Sequence, residues 1–343
     1  MKKLIALFLS VALLASLAGC AGTTVVVGNC TCPPESHTPV VTPTEAPEGA
    51  VKTGLAVIAK IDGSAPATAD ANGKADYDVT VVAVTVDDQG IIRDCIIDSV
   101  GTSVAFDAAG LPVDFDASKA ILTKNELGDN YGMKAYGGAA FEWYEQAAAL
   151  AQFAVGKTIE EFKGGYAGDV DLATTATIYL GGYVAAVEKA VVNAQHLGAQ
   201  AGDELKLAVI NTMNASAAEE AGGAAELTVD VAAVTMNGDV ITSCYIDALQ
   251  AKVEFDGTGA ITTDLTAAPQ TKNELGEAYG MKAISPIGKE FSEQMDALAA
   301  WCVGKTVEEV LALNAEDADL KAGCTVYIGT EMLALQKAVA NAK

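Results

Sequence analysis

A twelve-residue phrase occurs twice in this chain and constrains its fold more than any other feature. The first copy, TKNELGDNYGMK, covers 123–134, and the second, TKNELGEAYGMK, covers 271–282. The two copies lie 148 positions apart and differ at only two of them. A match of this length within one chain indicates that a whole segment was duplicated.

Weaker matches on both sides extend the duplication to the length of a domain. The triplet GKT recurs at 156–158 and 304–306, and the run LAVI recurs at 55–58 and 207–210. Each copy is therefore long enough to bury its own core and far longer than one unit of a solenoid. We predict two sister domains, one at 51–196 and one at 204–343.

The first twenty residues have the three regions of a bacterial export signal. Lys2 and Lys3 are positively charged, 4–18 is an apolar run, and LAGC ends the segment at 17–20. The LAGC ending resembles the lipobox of bacterial lipoproteins, in which the cysteine, here Cys20, is lipidated. This resemblance implies an exported protein held by lipid on the outer face of the cell membrane. The alternative is an ordinary secretory signal with a chance cysteine.

The next segment, 21–50, has the composition of a tether. Five prolines stand among Thr, Ser, Glu and Gly, which predicts a disordered spacer with little to bury. Cys30 and Cys32 lack nearby partners for a metal site, so a local disulfide or spare thiols is the favoured interpretation. The net charge of −24 makes nucleic acid and bare anionic membrane poor partners.

Both copies alternate strands and helices in the same order. The pattern predicts hairpins at 78–98 and 228–247, long helices at 141–155 and 290–303, capping boxes at 158–161 and 306–309, and final helices at 182–195 and 331–342. A short apolar run, 176–180 or 324–328, precedes each final helix. This order predicts an α+β fold, in which each copy packs a strand hairpin or small sheet with helices.

The cysteines of the two copies leave several pairings open. Cys95 and Cys244 occupy equivalent strand positions, so a bond between them requires the domains to touch there. Cys302 and Cys324 both lie in the second copy, where the first has alanine. A disulfide between these two and a pair of buried thiols fit the sequence equally well.

The histidines exclude several kinds of chemistry. The chain has only His37, in the tether, and His196, between the copies. A Ser-His-Asp or Cys-His arrangement within either domain is therefore excluded, as is a histidine-rich metal cluster. The run at 155–158 ends like a phosphate loop but lacks its preceding glycine. We predict no catalytic residues and no metal site.

A short motif before each final helix carries a family resemblance. Asp171 stands six residues before Thr177, and Asp319 stands six residues before Thr325. Here the chain resembles the FMN-binding domain family, found in the flavin-carrying subunits of Rnf and sodium-pumping NADH:quinone oxidoreductase complexes and in cell-surface flavolipoproteins. In that family, Asp-x-x-Ser/Thr-Gly-Ala-Thr/Ser ends in a hydroxyl residue that carries FMN through a phosphoester. The order of hairpin, loop, aromatic-rich helix and motif is also similar.

The resemblance implies specific cofactor residues, with some departures from the family pattern. The implied FMN-binding residues are Thr177, Thr325, Asp171, Asp319, Leu127, Gly128, Leu275 and Gly276. Thr175 replaces the motif glycine in the first copy, while Ala322 and Cys324 replace family residues in the second. Because Gly323 keeps that glycine, we expect Thr325 to be modified more completely than Thr177.

The function implied by the resemblance is electron transfer outside the cell. Covalent FMN on each copy would make the chain an electron carrier rather than an enzyme with its own substrate. Its expected partners are a flavin transferase, a donor in the membrane and an extracellular acceptor. The alternative is a surface binding or spacer lipoprotein that kept the fold without the flavin.

Overall fold

The structure, a computed structural model, describes residues 49–218, 222–313, 318–325 and 329–340. The predicted signal, the lipidation site Cys20 and nearly all of the predicted tether lie outside these residues. Both copies belong to one compact unit, 46–343. None of the helices in the described part of the chain has the length and apolar character needed to cross a membrane.

The first repeat is a strand meander followed by helices. Its elements are β1 (Lys52–Lys60), β2 (Gly73–Val86), β3 (Ile92–Phe106), β4 (Pro112–Val113), α1 (Lys124–Leu127), α2 (Met133–Gly137), α3 (Trp143–Ala154), α4 (Ile159–Gly165), α5 (Val170–Thr175) and α6 (Gly181–Val192). A 3-10 turn, Gly128–Tyr131, separates α1 from α2. The strands form an antiparallel sheet in the order β1-β2-β3-β4.

The second repeat follows the same order. Its elements are β5 (Glu204–Ser216), β6 (Gly223–Asn237), β7 (Val240–Phe255), α7 (Lys272–Leu275), α8 (Phe291–Cys302), α9 (Val307–Leu311), α10 (Ala318–Gly323) and α11 (Gly329–Ala340), with 3-10 turns at Gly276–Tyr279 and Met281–Ala283. Its sheet is antiparallel in the order β5-β6-β7. The fold class is α+β, as predicted.

Each sheet is buried on both faces. The helices of its own repeat cover one face, and the sheet of the other repeat covers the opposite face. Along β2, Val79, Val81 and Ala83 point into a core shared by both sheets, while Val82 and Val84 lie under the helices of their own repeat. This arrangement explains why the strands read as nearly continuous apolar runs, since successive side chains alternate between two dry faces.

The shared core has approximate two-fold symmetry. Phe106 and Phe255, which are equivalent in the two repeats, stack with ring centroids 4.1 Å apart and an interplanar angle of 5°. Reciprocal backbone hydrogen bonds flank this stack: Ala67 N donates to Gly259 O at 2.8 Å, and Ala218 N donates to Gly110 O at 2.7 Å. The repeats thus bury a core between them as well as one each beneath their helices.

Each repeated phrase also contacts the final helix of the other repeat. Lys189 of α6 pairs with Glu274 of the second phrase at 2.6 Å, and Lys337 of α11 pairs with Glu126 of the first phrase at 2.5 Å. Such partly exposed pairs each contribute less than about 1 kcal/mol. Their reciprocity follows the approximate two-fold relation of the repeats.

The hairpins, long helices and capping boxes predicted from the sequence are confirmed. Thr158 and Thr306 cap α4 and α9, each with a glutamate three residues later. The apolar run after Asp171 is not a strand, because α5 continues to Thr175 and an irregular segment then leads into α6. The four cysteines that the structure describes are free thiols, so neither pairing left open by the sequence is formed.

Candidate functional site

A buried glutamine holds the segment that contains Thr177. Gln146 of α3 is 1% exposed, and its Oε1 accepts hydrogen bonds from Thr177 N at 2.7 Å and from Ile178 N at 3.1 Å. The Thr177 hydroxyl donates to the same oxygen at 3.2 Å. The Gln146 Nε2 donates to Phe141 O at 2.9 Å and lies 3.9 Å from Met133 Sδ, at the end of the phrase. One amide therefore joins the phrase to the motif threonine.

The second repeat has the same arrangement. Gln294 is fully buried, and its Oε1 accepts from Thr325 N at 2.9 Å and lies 3.5 Å from the Thr325 hydroxyl. Its Nε2 donates to Lys289 O at 3.0 Å and lies 3.4 Å from Met281 Sδ. Because both repeats have this arrangement, it belongs to the duplicated unit and not to one copy alone.

A buried glutamate makes a second link between the phrase and the long helix. Glu142, 2% exposed, caps the start of α3, and its carboxylate accepts from Met133 N at 2.8 Å and Lys134 N at 3.0 Å. Glu290 does the same for Met281 and the residue after it. The end of each phrase is thus positioned by two residues of the helix that follows it.

The other hydroxyls of the first motif have local partners. Thr174 and Thr175 donate to the backbone carbonyl of Asp171 at 2.8 and 3.1 Å, within α5. The side chain that caps this helix is that of Asp169, whereas the Asp171 side chain is exposed. Among these threonines, only Thr177 lies beyond the helix with an exposed side chain held by Gln146.

A cavity of about 380 Å³ is lined by Tyr179, which stands two residues after Thr177 in the chain. It lies between the start of α6 and strands β1 and β2, and its walls include Tyr179, Tyr183, Lys60 and Gly182. The Lys60 Nζ lies 4.0 Å from the position that a Cβ on Gly182 would take. Lys60 forms no ion pair with any residue that the structure describes, and no side chain caps the start of α6. The Lys60 ammonium and the free N–H groups of α6 favour an anion here, against the one carboxylate of the wall, Asp78.

A buried lysine of the phrase lies behind this cavity, next to its wall residue Asp78. Lys124 Nζ lies 5.4 Å from the ring centroid of Tyr131, 5.3 Å from that of Trp143, and 4.0 Å from Asp78 Oδ1 in the cavity wall. Trp143 in turn donates its Nε1 hydrogen to the Tyr183 hydroxyl at 3.1 Å. Sequence reasoning missed Lys124, although the phrase has lysine at this position in both copies.

The equivalent place in the second repeat has more negative charge. At equivalent positions, Lys60 is replaced by Thr212, Asp78 by Thr228, Thr80 by Asp230, Gly182 by Thr330 and Tyr183 by Glu331. Glu331 is buried and lies 3.6 Å from Lys272, the counterpart of Lys124. Asp230 is also buried, so two carboxylates face one lysine.

The predicted Leu-Gly turns lie elsewhere. Gly128 has φ 52° and ψ −127°, and Gly276 has φ 50° and ψ −124°, a region that only glycine adopts without strain. Leu127 lines a separate cavity of about 360 Å³ together with Met213 of the other repeat. The structure does not bring this turn to the cavity beside Thr177.

The glycine of the second motif has a packing role. A Cβ on Gly323 would lie 2.7 Å from the Cβ of Ala297 in α8, so the close approach of α10 to α8 requires glycine. Its presence therefore needs no ligand to explain it. Asp319 lies in α10, and its side chain is outside the described part of the structure.

Replacing Gln146 with Ala is expected to lower the unfolding free energy by about 2 kcal/mol, because Thr177 N, Ile178 N and Phe141 O would lose a buried partner. Gln152→Ala, on the exposed side of the same helix, is the matched control and should change it by less than about 0.5 kcal/mol. Urea denaturation of both variants measures the difference. Equal effects would show that Gln146 does not hold the segment.

The structure thus brings Thr177, Gln146 and Met133 together, and it places Lys60 in the wall of the cavity that Tyr179 lines, with Lys124 behind the wall residue Asp78. Asp171 and Leu127 do not join this group. Compared with protein-family models, curated proteins and solved structures, the chain matches none of them.

Proposed function

We propose that this chain is an electron-transfer flavoprotein that carries FMN on Thr177 of its first repeat. The observation that carries the proposal is the exposed Thr177 hydroxyl, held by Gln146 two residues before Tyr179, which lines a cavity with aromatic and cationic walls. The resemblance of the motif to the FMN-binding domain family supports the same assignment.

The residues present fit covalent attachment at Thr177. Gln146 Oε1 accepts from two backbone N–H groups as well as from the hydroxyl. If the hydroxyl hydrogen were replaced by a phosphoester bond, Gln146 would still have those two partners. The acceptor therefore loses its hydrogen without leaving a buried polar group unpaired.

The cavity fits an anionic aromatic ligand. Its volume of about 380 Å³ lies within the usual range for small-molecule sites. Tyr179 and Tyr183 supply aromatic rings to its wall, and Lys60 with the first N–H groups of α6 favours a phosphate. FMN would supply one- and two-electron redox chemistry, and these side chains would hold and orient it.

The second repeat is a poorer host for the same group. Asp230 and Glu331 replace neutral residues and Thr212 replaces Lys60, whereas only one carboxylate, Asp78, is replaced by a neutral residue, Thr228. Like charge disfavours a phosphate beside α11, so this site supports the alternative of a domain that keeps the fold without the flavin. The charges thus favour Thr177 over Thr325, the reverse of the order expected from Gly323.

We also propose the cellular setting that the sequence implies. Lipid on Cys20 would hold the protein on the outer face of the membrane, and 21–50 would act as its tether. A flavin transferase would load the cofactor. The expected electron donor lies in the membrane, and the expected acceptor lies outside the cell.

Intact-mass measurement of the protein co-expressed with a flavin transferase tests the proposal. We expect one FMN addition per chain, fluorescent after denaturation and absent from Thr177→Ala. Thr177→Ser should restore the addition because it restores the hydroxyl. Thr325→Ala, and Thr175→Ala as the control at a neighbouring hydroxyl, should retain it.

Two outcomes would count against this assignment. An addition that persists in Thr177→Ala and disappears in Thr325→Ala would move the flavin to the second repeat and contradict the charge argument. If the folded protein carries no flavin after co-expression with an active flavin transferase, the result would favour the surface binding or spacer lipoprotein.

A further inference from the structure

Two cysteines of the second repeat face each other across the boundary between sheet and helix. Cys244 lies on β7, and Cys302 is the last residue of α8. The two thiols are neighbours that interact with each other, and they are 2% and 0% exposed, respectively. Both are in the same apolar core, so the contact is fixed by packing on all sides.

The first repeat provides an internal comparison. Cys95 is the counterpart of Cys244, but the counterpart of Cys302 is Ala154. Cys95 is also buried, yet the helix that covers it presents a methyl group and not a thiol. The same backbone arrangement therefore places two sulfur atoms together in one repeat and only one in the other.

A route from solvent leads to one of the two thiols. Cys244 lines a cavity of about 240 Å³ whose walls also include Asp296 and Ala300, both exposed. A small disulfide compound that enters this cavity reaches Cys244 before it reaches Cys302, which is not part of the wall.

We propose that Cys244 and Cys302 form a disulfide that fixes the end of α8 to β7. The Cys244 thiolate attacks a small disulfide, forming a mixed disulfide and releasing one thiol. The Cys302 thiolate then attacks the Cys244 sulfur and releases the second thiol. Two thiols of the protein are oxidised and one external disulfide is reduced, and the two protons pass to solvent or to the released thiolates.

The reaction is expected to be slow at neutral pH once the protein is folded. The hydrogen bond to Cys302, and then burial, raise the pKa of the Cys244 thiol well above its ordinary value. Because the thiolate is the attacking species, the rate should increase with pH. The oxidation should therefore be assayed at about pH 8.5 with excess oxidant.

Peptide mapping of the full chain after treatment with 2-hydroxyethyl disulfide tests the proposal. Remaining thiols are alkylated in denaturant before digestion without reductant. We expect a linked peptide pair that contains Cys244 and Cys302 and disappears on reduction. The pair should persist in Cys95→Ser and Cys324→Ser, and be absent from Cys302→Ser. Oxidation should raise the melting temperature by about 5 °C or more, reversibly.

The wild-type protein alone can overturn the proposal, so the test does not depend on whether a serine variant folds. Alkylation of both Cys244 and Cys302 after prolonged oxidation would overturn the proposal. A linked pair of Cys302 with Cys324 would also overturn it, in favour of the pairing within the second copy that the sequence left open. Neither outcome depends on whether the chain carries FMN.

Discussion

Replacing Phe106 with Ala is expected to lower the unfolding free energy by about 3–5 kcal/mol, and to do so for both repeats together. Phe106 is fully buried and stacks on Phe255 at 4.1 Å in the core between the sheets. Truncation removes a whole ring from a densely packed site that belongs to neither repeat alone. The lost burial and the remaining cavity both act on the contact that joins them.

The two tryptophans make this effect measurable in each repeat. Trp143 lies in the first repeat and Trp301 in the second, and the chain has no others. Variants that keep one tryptophan report the unfolding of one repeat by fluorescence. We expect coincident denaturation curves, both shifted by Phe106→Ala. Tyr136→Ala, which truncates an aromatic ring that is 92% exposed, is the control and should leave the curves in place.

Separate transitions would contradict this expectation. If Phe106→Ala shifted only the Trp143 curve, each repeat would be stable by itself, as the division at 51–196 and 204–343 predicts from sequence length. In that case the stack would only join two independently stable domains.

The features that sequence predicted well are those determined by neighbouring residues. A capping box needs only Thr158 and a glutamate three residues later, so its geometry follows from the local chain. The hairpins likewise follow from β-branched residues on either side of turn residues. The equivalence of Phe106 and Phe255 was also visible in the aligned copies. Their stacking was not, because it depends on how one sheet meets another.

The candidate site was likewise predictable from the sequence only where local residues determine it. Thr177 was identified from its motif, but its partner Gln146 lies 31 positions earlier in the chain. A glutamine on a predicted helix normally faces solvent, and no local pattern shows that it is buried. Lys124 lies inside the repeated phrase, but its packing on two aromatic rings cannot be seen in the phrase itself, because Trp143 lies on another helix. Both roles depend on tertiary contacts.

Replacing Asp230 with Asn is expected to stabilise the protein by about 2–3 kcal/mol at pH 7 and by much less at pH 4. Asp230 is fully buried, and neither of its carboxylate oxygens has a hydrogen bond of normal geometry to any residue that the structure describes. Burial, and then the charge of Glu331, raise its pKa from 3.8 to about 6, although Thr330 and Lys272 lower it in part.

The sign of the effect follows from proton binding. Between about pH 4 and pH 6 the folded state retains a proton on Asp230 that the unfolded state has released. The contribution of Asp230 to stability therefore declines as pH rises through this range and is most unfavourable above pH 6. Asparagine cannot ionise, so it lacks this decline. The benefit of the substitution should accordingly develop between pH 4 and pH 6.

Urea denaturation at several pH values from about 4 to 7 measures this difference between Asp230→Asn and the wild type. Asp62→Asn, at an exposed position, is the matched control and should follow the wild type within about 0.5 kcal/mol. A destabilised Asp230→Asn at pH 7 would mean that Lys272 is paired mainly with Asp230 and not with Glu331. In that case Lys272 would compensate the charge of the buried carboxylates. The argument that the second site disfavours an anion more than the first would then lose its physical basis.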